Sequence, residues 1–287
     1  SQASTSVACD GKQLYVNFFS HGQARTSALD LDGRIVWTTK ICDYVPHQGY
    51  GSSPAIYGPL VIVSADNKKG GAIAGLNRED GEVIWRHDRP KMPNYSSPSI
   101  VTANGKDQLI FTGCELVSSF DPLTGEKLWE IEGATTECVT TTPTDGKHVV
   151  SSGGYPKNHV AAIVADGSGK IAWENTTRVY VPSMFVKDGY LYAVTDAGVA
   201  TCWNAASGKE MWKGRLGGTF SSSPVLVGER IYATNEEGKT FVYGCDPNEF
   251  KLLATNQLGD DVFATPTFVG GRIYTRVVVK KNGQRQE

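Results

Sequence analysis

A glycine followed four residues later by a tryptophan recurs five times, as Gly33–Trp37, Gly81–Trp85, Gly125–Trp129, Gly169–Trp173 and Gly208–Trp212. The tryptophans are 48, 44, 44 and 39 residues apart. The fullest copy runs from Asp121 through Thr124 and Gly125 to Trp129, and a sixth, Asp246 to Ala254, keeps the Asp-Pro start without the Gly or the Trp. A period of this length marks stacked supersecondary units that bury their apolar faces only against one another. A second marker keeps step with the first: a hydroxyl residue before proline at Ser53-Pro54, Ser97-Pro98, Thr142-Pro143, Ser223-Pro224 and Thr265-Pro266, with Val181-Pro182 as a variant.

Between the markers lie short runs rich in Val, Ile and Tyr, such as Lys12 to Phe19, Tyr190 to Val194 and Arg230 to Thr234, bounded by turn pairs such as Asp10-Gly11 and Asp188-Gly189. No segment keeps a helical period over three turns. Each repeat therefore reads as four antiparallel strands, and the chain as an all-β propeller. In each blade the first strand follows the hydroxyl-Pro pair and faces the axis, where small residues fit. The fourth carries the Trp at the rim, where an indole covers the neighbouring blade. Seven first-strand positions, from Ser6 to Pro266, face six fourth-strand positions. The expectation is seven blades, with eight as the alternative, and a terminal blade that stops after Arg272 to Lys280 and turns polar through Lys281 to Glu287. Residues 1–287 read as one propeller domain trimmed from a longer chain.

Composition excludes some functions. The 28 basic residues nearly balance 30 acidic ones, giving a net charge of -2, so no basic face for nucleic acid is expected. No apolar run approaches the roughly 18 residues of a membrane-spanning helix. The six cysteines, Cys9, Cys42, Cys114, Cys138, Cys202 and Cys245, form no C-x-x-C pair, and the five histidines show no metal-ligand spacing. No metal site is expected, and most of the cysteines read as small buried hydrophobes. One or two disulfides would suit an exported protein, but the spacing pairs none of them.

The Asp-x-x-Thr-Gly-x-x-x-Trp unit resembles the PQQ-like (pyrroloquinoline-quinone-like) β-propeller repeat with its tryptophan-docking motif, over residues 5–280. The segments Pro46 to Pro54 and Leu216 to Pro224 are similar to bacterial PQQ-binding-like repeat proteins. The resemblance takes in quinoprotein alcohol dehydrogenases and BamB-type outer-membrane assembly lipoproteins. From the second group it implies an exported, periplasmic or cell-envelope scaffold. From the first it implies a quinone site, with adjacent cysteines over the cofactor, a Trp beneath it, calcium ligands of Glu, Asn and Asp type, and an Asp base. This chain has no adjacent cysteines. The leading expectation is thus a non-catalytic scaffold without cofactor or catalytic residues, binding a protein or peptide. The alternatives are a pyrroloquinoline quinone- and calcium-dependent dehydrogenase with a divergent site, with a small molecule in the channel, and a carbohydrate-binding propeller.

Trp37, Trp85, Trp129, Trp173 and Trp212 read as blade-docking residues, while Trp203, outside the motif, is expected to matter less. The connections entering each first strand carry Tyr50, Tyr95, Tyr180, Phe220 and Phe263, which together with His47 are the binding candidates at the channel mouth. The competing reading is that these aromatics simply close the entrance. Asp43, Arg86, Arg89, Lys91, Glu137, Arg178, Arg215, Asp260 and Asp261 fall in or beside the same connections and read mostly as solvated loop charges.

Overall fold

A computed structural model describes residues 4–281 and 284–286; Ser1 to Ala3, and Asn282, Gly283 and Glu287 of the polar end, lie outside the described residues. Blade 1 consists of β1 (Ala8–Cys9), β2 (Gln13–Ser20), β3 (Gln23–Asp30) and β4 (Ile35–Asp43). Blade 2 has β5 (Ala55–Tyr57), β6 (Leu60–Ser64), β7 (Gly71–Asn77) and β8 (Val83–Arg89), and blade 3 has β9 (Ser99–Ala103), β10 (Lys106–Gly113), β11 (Leu116–Phe120) and β12 (Lys127–Glu132). Blade 4 keeps β13 (His148–Gly153), β14 (His159–Val164) and β15 (Ile171–Asn175), its first strand reduced to a bridge between Thr144 and Val149. Blade 5 has β16 (Phe185–Lys187), β17 (Tyr190–Val194), β18 (Val199–Asn204) and β19 (Glu210–Arg215), and blade 6 has β20 (Val225–Val227), β21 (Arg230–Thr234), β22 (Lys239–Gly244) and β23 (Leu252–Gln257). The last blade is the pair β24 (Thr267–Val269) and β25 (Arg272–Tyr274), followed by a separate ribbon of β26 (Val279–Lys281) and β27 (Gln284–Gln286). Every pairing is antiparallel between sequence neighbours, as in a propeller with an incomplete seventh blade.

The run Arg272 to Lys280 is not one strand. The chain leaves β25 because Val278 exchanges backbone hydrogen bonds with Asp260 and Asp261, which pull it onto the connection from blade 6.

The glycine–tryptophan unit works between blades. Gly81 and Gly125 open their turns with φ of 76° and 71°, a region that costs other residues strain. A methyl group at Gly81 would lie 2.5 Å from the Trp37 ring, and one at Gly125 would lie 2.6 Å from Trp85. The indoles of Trp37, Trp85 and Trp173 therefore rest on the bare glycine of the next blade, whereas Trp129 meets Gly167 and the motif glycine Gly169 faces Ile131. Trp37 Nε1 donates to the Arg78 carbonyl at 2.9 Å, and Trp173 and Trp212 donate to the Ala205 and Asp246 carbonyls, each at 2.7 Å. Phe250 holds the glycine position of blade 6 and packs on Trp212 with ring centroids 5.4 Å apart, which explains the degenerate sixth copy. Burying an indole of roughly 200 Å² removes about 5 kcal/mol of apolar exposure, as an upper bound.

The hydroxyl before proline has a role that its small size alone did not suggest. Ser6 N–H donates to Ser53 Oγ, Ser53 N–H to Ser97 Oγ, Ser183 N–H to Ser223 Oγ and Ser223 N–H to Thr265 Oγ1, each at 2.9 Å. Each of these four hydroxyls thus accepts the backbone of the blade before it, while at Thr142 the N–H donates to Ser99 Oγ of blade 3 at 3.2 Å. Thr141 N–H donates to Ser183 Oγ at 3.2 Å, so Ser183-Met184, not Val181-Pro182, is the blade 5 copy of the marker.

Trp203 on β18 is 2% exposed and belongs to a core cluster that includes Val150, Val160 and Ala162 of blade 4. It is more buried than Trp129, at 8%, so its burial gives no ground for expecting it to matter less. All six cysteines are free; Cys42, Cys114, Cys138 and Cys202 are buried, Cys245 is half-buried and Cys9 is exposed. Among the described residues, no helix is long and apolar enough to cross a membrane.

Candidate functional site

The connections that leave a fourth strand and enter the next first strand gather at one end of the blades, and four successive ones meet through side chains. His47 comes from the blade 1–2 connection, Tyr95 from blade 2–3, Glu137 from blade 3–4 and Tyr180 from blade 4–5. His47 Nδ1 lies 3.3 Å from Glu137 Oε1 and 3.2 Å from the Tyr95 hydroxyl. Tyr180 donates its hydroxyl to Glu137 Oε2 at 3.0 Å. Arg178 lies over the Tyr180 ring, 5.3 Å from its centroid, and 3.8 Å from Asp196 Oδ1.

Backbone bonds fix this arrangement. Tyr95 N–H donates to the Cys138 carbonyl at 3.1 Å, and Cys138 N–H donates to Asn94 Oδ1 at 2.9 Å, tying two connections together. Asp196 Oδ2 accepts the Tyr180 N–H at 2.8 Å. The β10–β11 hairpin holds the Glu137 segment from outside: Cys114 N–H donates to the Thr136 carbonyl at 2.8 Å and Glu115 N–H to the Thr135 carbonyl at 3.2 Å. Beneath lies a buried pair, Arg89 and Asp66 at 3.3 Å, with Asn94 Nδ2 donating to Asp66 Oδ2 at 3.1 Å. Burial, then the Glu137 charge, pushes the Tyr95 hydroxyl up to about 12, and the same two causes raise Tyr180 further.

The sequence candidates separate into two groups. His47, Tyr95 and Tyr180 come together and reach solvent at the mouth. Phe263 is exposed at the blade 6–7 connection. Tyr50 and Phe220 are instead core residues, 3% and 1% exposed. Tyr50 donates to the Ser64 carbonyl and Phe220 packs against Phe241, so in this arrangement neither faces a ligand. Two loop charges are also not solvated. Arg89 is paired inside, and the Glu137 side chain is 4% exposed. Tyr155, exposed and bridged through its backbone to Glu137, was not among the sequence candidates, because it follows a second strand rather than preceding a first.

Two hollows lie away from this mouth. One of about 460 Å³, at the opposite end between blades 5 and 6, is lined by Lys187, Tyr190, Tyr192, Glu229 and Cys245. At the matching blade 1–2 junction Arg78 pairs with Asp10 at 3.0 Å beneath Tyr15. Cys245 occupies the place of Arg78, each donating its N–H to the preceding turn of its own blade, at Glu229 and Pro59. A shorter side chain there accounts for the space. The other hollow, about 600 Å³, is the open side of the last blade at Thr267 and Tyr274.

The family profile described as "Outer membrane protein assembly factor BamB" matches residues 1–176 and 156–249. The chain belongs to this family. It is 25% identical over 252 residues to the outer membrane protein assembly factor BamB of Bordetella pertussis, covering 83% of this chain and 62% of that one. It is 22% identical over 298 residues to that of Moranella endobia, covering 99% and 71%. The crystal structure of BamB from Moraxella catarrhalis superposes with a TM-score of 0.74 at 13% identity, covering 96% of this chain and 82% of that one. The quinohemoprotein alcohol dehydrogenase of Comamonas testosteroni superposes with a TM-score of 0.70 at 14% identity, covering 96% and 63%. At such identities the solved structures establish the propeller fold alone.

The dehydrogenase likeness raises the question of quinone and calcium. Among the described residues no three His, Cys, Asp or Glu side chains converge as a cation site, and the cysteines are scattered singly through the sequence. These residues do not build the calcium-and-disulfide setting implied by the quinoprotein resemblance.

Proposed function

We propose that this chain is a non-catalytic scaffold of the bacterial cell envelope that takes part in outer membrane protein assembly, holding a protein partner at the mouth formed by His47, Tyr95, Glu137 and Tyr180. Membership of the BamB family supports the process and the periplasmic, envelope location. One observation carries the choice of surface: four consecutive connections converge in side-chain contact there, on a rigid docked frame. Tyrosines with an apolar face and a polar tip suit a protein contact, since they add area at low entropic cost. Tyr95 and Tyr180 would flank the partner, and Tyr155 and Phe263 would extend the surface outward.

The test is complementation. A strain lacking its own copy receives the full protein, or the Tyr95→Ala/Tyr180→Ala double variant, and folded β-barrel protein in the outer membrane is measured. Restoration by the parent, and failure of a normally accumulating and normally melting double variant, is the outcome predicted. Equal restoration by both would remove the mouth from the account.

A further inference from the structure

Glu137 is a deeply placed charge at the mouth, its side chain 4% exposed. Buried carboxylates need a compensating cation, because desolvation costs more than neutral hydrogen bonds return. Among the described residues, the only basic side chain within 4 Å of its oxygens is His47, at 3.3 Å. That contact is weak by construction. The same His47 Nδ1 also faces the Tyr95 hydroxyl at 3.2 Å. If Nδ1 carries the proton, one N–H serves two oxygens; if it does not, it accepts from the Tyr95 hydroxyl and turns a lone pair, not a donor, towards Glu137. Arg178, the nearby guanidinium, lies over the Tyr180 face and 3.8 Å from Asp196, not against Glu137.

From this we infer that the mouth is a notch for a basic side chain: a lysine ammonium or arginine guanidinium from an extended segment of the protein partner enters between Tyr95 and Tyr180, displaces His47 and pairs with Glu137. The inference rests on the reading of the mouth as the partner surface. The chemistry is complementary at each wall. The carboxylate supplies the charge and the tyrosine rings supply faces that attract cations. Tyr180 already carries one cation on a face, Arg178 at 5.3 Å. His47, its side chain 34% exposed, acts as a lid that covers the carboxylate in the free protein. A hydrogen-bonded pair in so desolvated a place gives specificity for charge, and an uncharged isostere leaves the carboxylate uncompensated.

Three blocked tripeptides test this on the intact protein: acetyl-Gly-Lys-Gly-amide, acetyl-Gly-Arg-Gly-amide and acetyl-Gly-Gln-Gly-amide, titrated while the ring resonances of Tyr95 and Tyr180 are followed by NMR. The Lys and Arg peptides should saturate both rings and the Gln peptide should not. Glu137→Gln should weaken the basic peptides by about tenfold or more, as for loss of a desolvated charge partner. His47→Ala should tighten them, an effect that a purely structural histidine would not produce. Equal response to all three peptides, or no response from either the parent or His47→Ala, overturns the notch even if Glu137→Gln proves unstable. A peptide that fails while the Tyr95→Ala/Tyr180→Ala protein loses assembly activity sinks only the notch. Retained activity in that double variant sinks the mouth itself.

Discussion

The two buried tryptophans illustrate what one residue can decide. Trp129 lies in the docking motif and Trp203 outside it, yet both are interior. Trp129→Ala and Trp203→Ala should each lower unfolding free energy by about 3–5 kcal/mol in urea titrations; a Trp203 variant costing less than about 1 kcal/mol would contradict its packing on blade 4. Trp129 was legible as a periodic rim residue from the motif, but its indole faces Gly167 instead of the motif glycine Gly169 and donates Nε1 to Gln108 Oε1 of its own blade. Trp203 was not legible, because an inward position on a third strand has no local mark beyond alternation. Glu137 was not legible either: a loop carboxylate becomes buried only when neighbouring connections close over it. The hairpin that holds it is strained, with φ of 56° at Cys114 and 66° at Glu115. Glu115→Gly should therefore stabilise the protein, by about 0.5 kcal/mol after the glycine's own entropy is counted. A lower melting temperature would show that the side chain's bond to Thr136 outweighs the strain.

At the scale of elements, the hydroxyl ladder does for the inner strands what the tryptophans do for the outer ones. Ser223→Ala removes the acceptor of the Ser183 N–H, a part-buried donor, and should cost about 1–2 kcal/mol. Ser168→Ala, in an exposed turn, should stay within about 0.5 kcal/mol. Equal effects of the two substitutions would reduce the ladder to a by-product of strand spacing. The sequence marked these positions by period but not by mechanism, and it erred where the marks drifted. Pro182 keeps the conspicuous proline of the marker in blade 5, whereas the bonding continues through Ser183. Blade 4 also departs from the pattern, its first strand shortened to the Thr144–Val149 bridge. The succession of blades and a last blade of two strands could be read from the markers; the exchange of Val278 with Asp260 and Asp261 depends on a contact between separate segments and left no periodic trace.

The whole molecule is a frame with an aromatic mouth, and both parts respond to conditions in a defined direction. Burial, with the Glu137 charge second, raises Tyr95 from 10 to about 12, and burial raises Tyr15 to about 12 likewise. The unfolded chain would ionise these hydroxyls first, so their contribution is complete below pH 10 and is lost as pH rises towards 12. Stability followed by circular dichroism should fall across that window, with tyrosinate absorbance lagging behind free tyrosine; no change would mean that the rings open to water without cost. The claim on which the function depends is that partners meet the propeller at this mouth and not at its far end. A photoreactive amino acid placed at position 47, and separately at position 168 in a turn of the opposite end, measures this directly in living envelopes. The account predicts a discrete protein adduct at 47, removed by the Tyr95→Ala/Tyr180→Ala background, and none at 168. The same adduct at both positions, or an adduct at 168 alone, would contradict it.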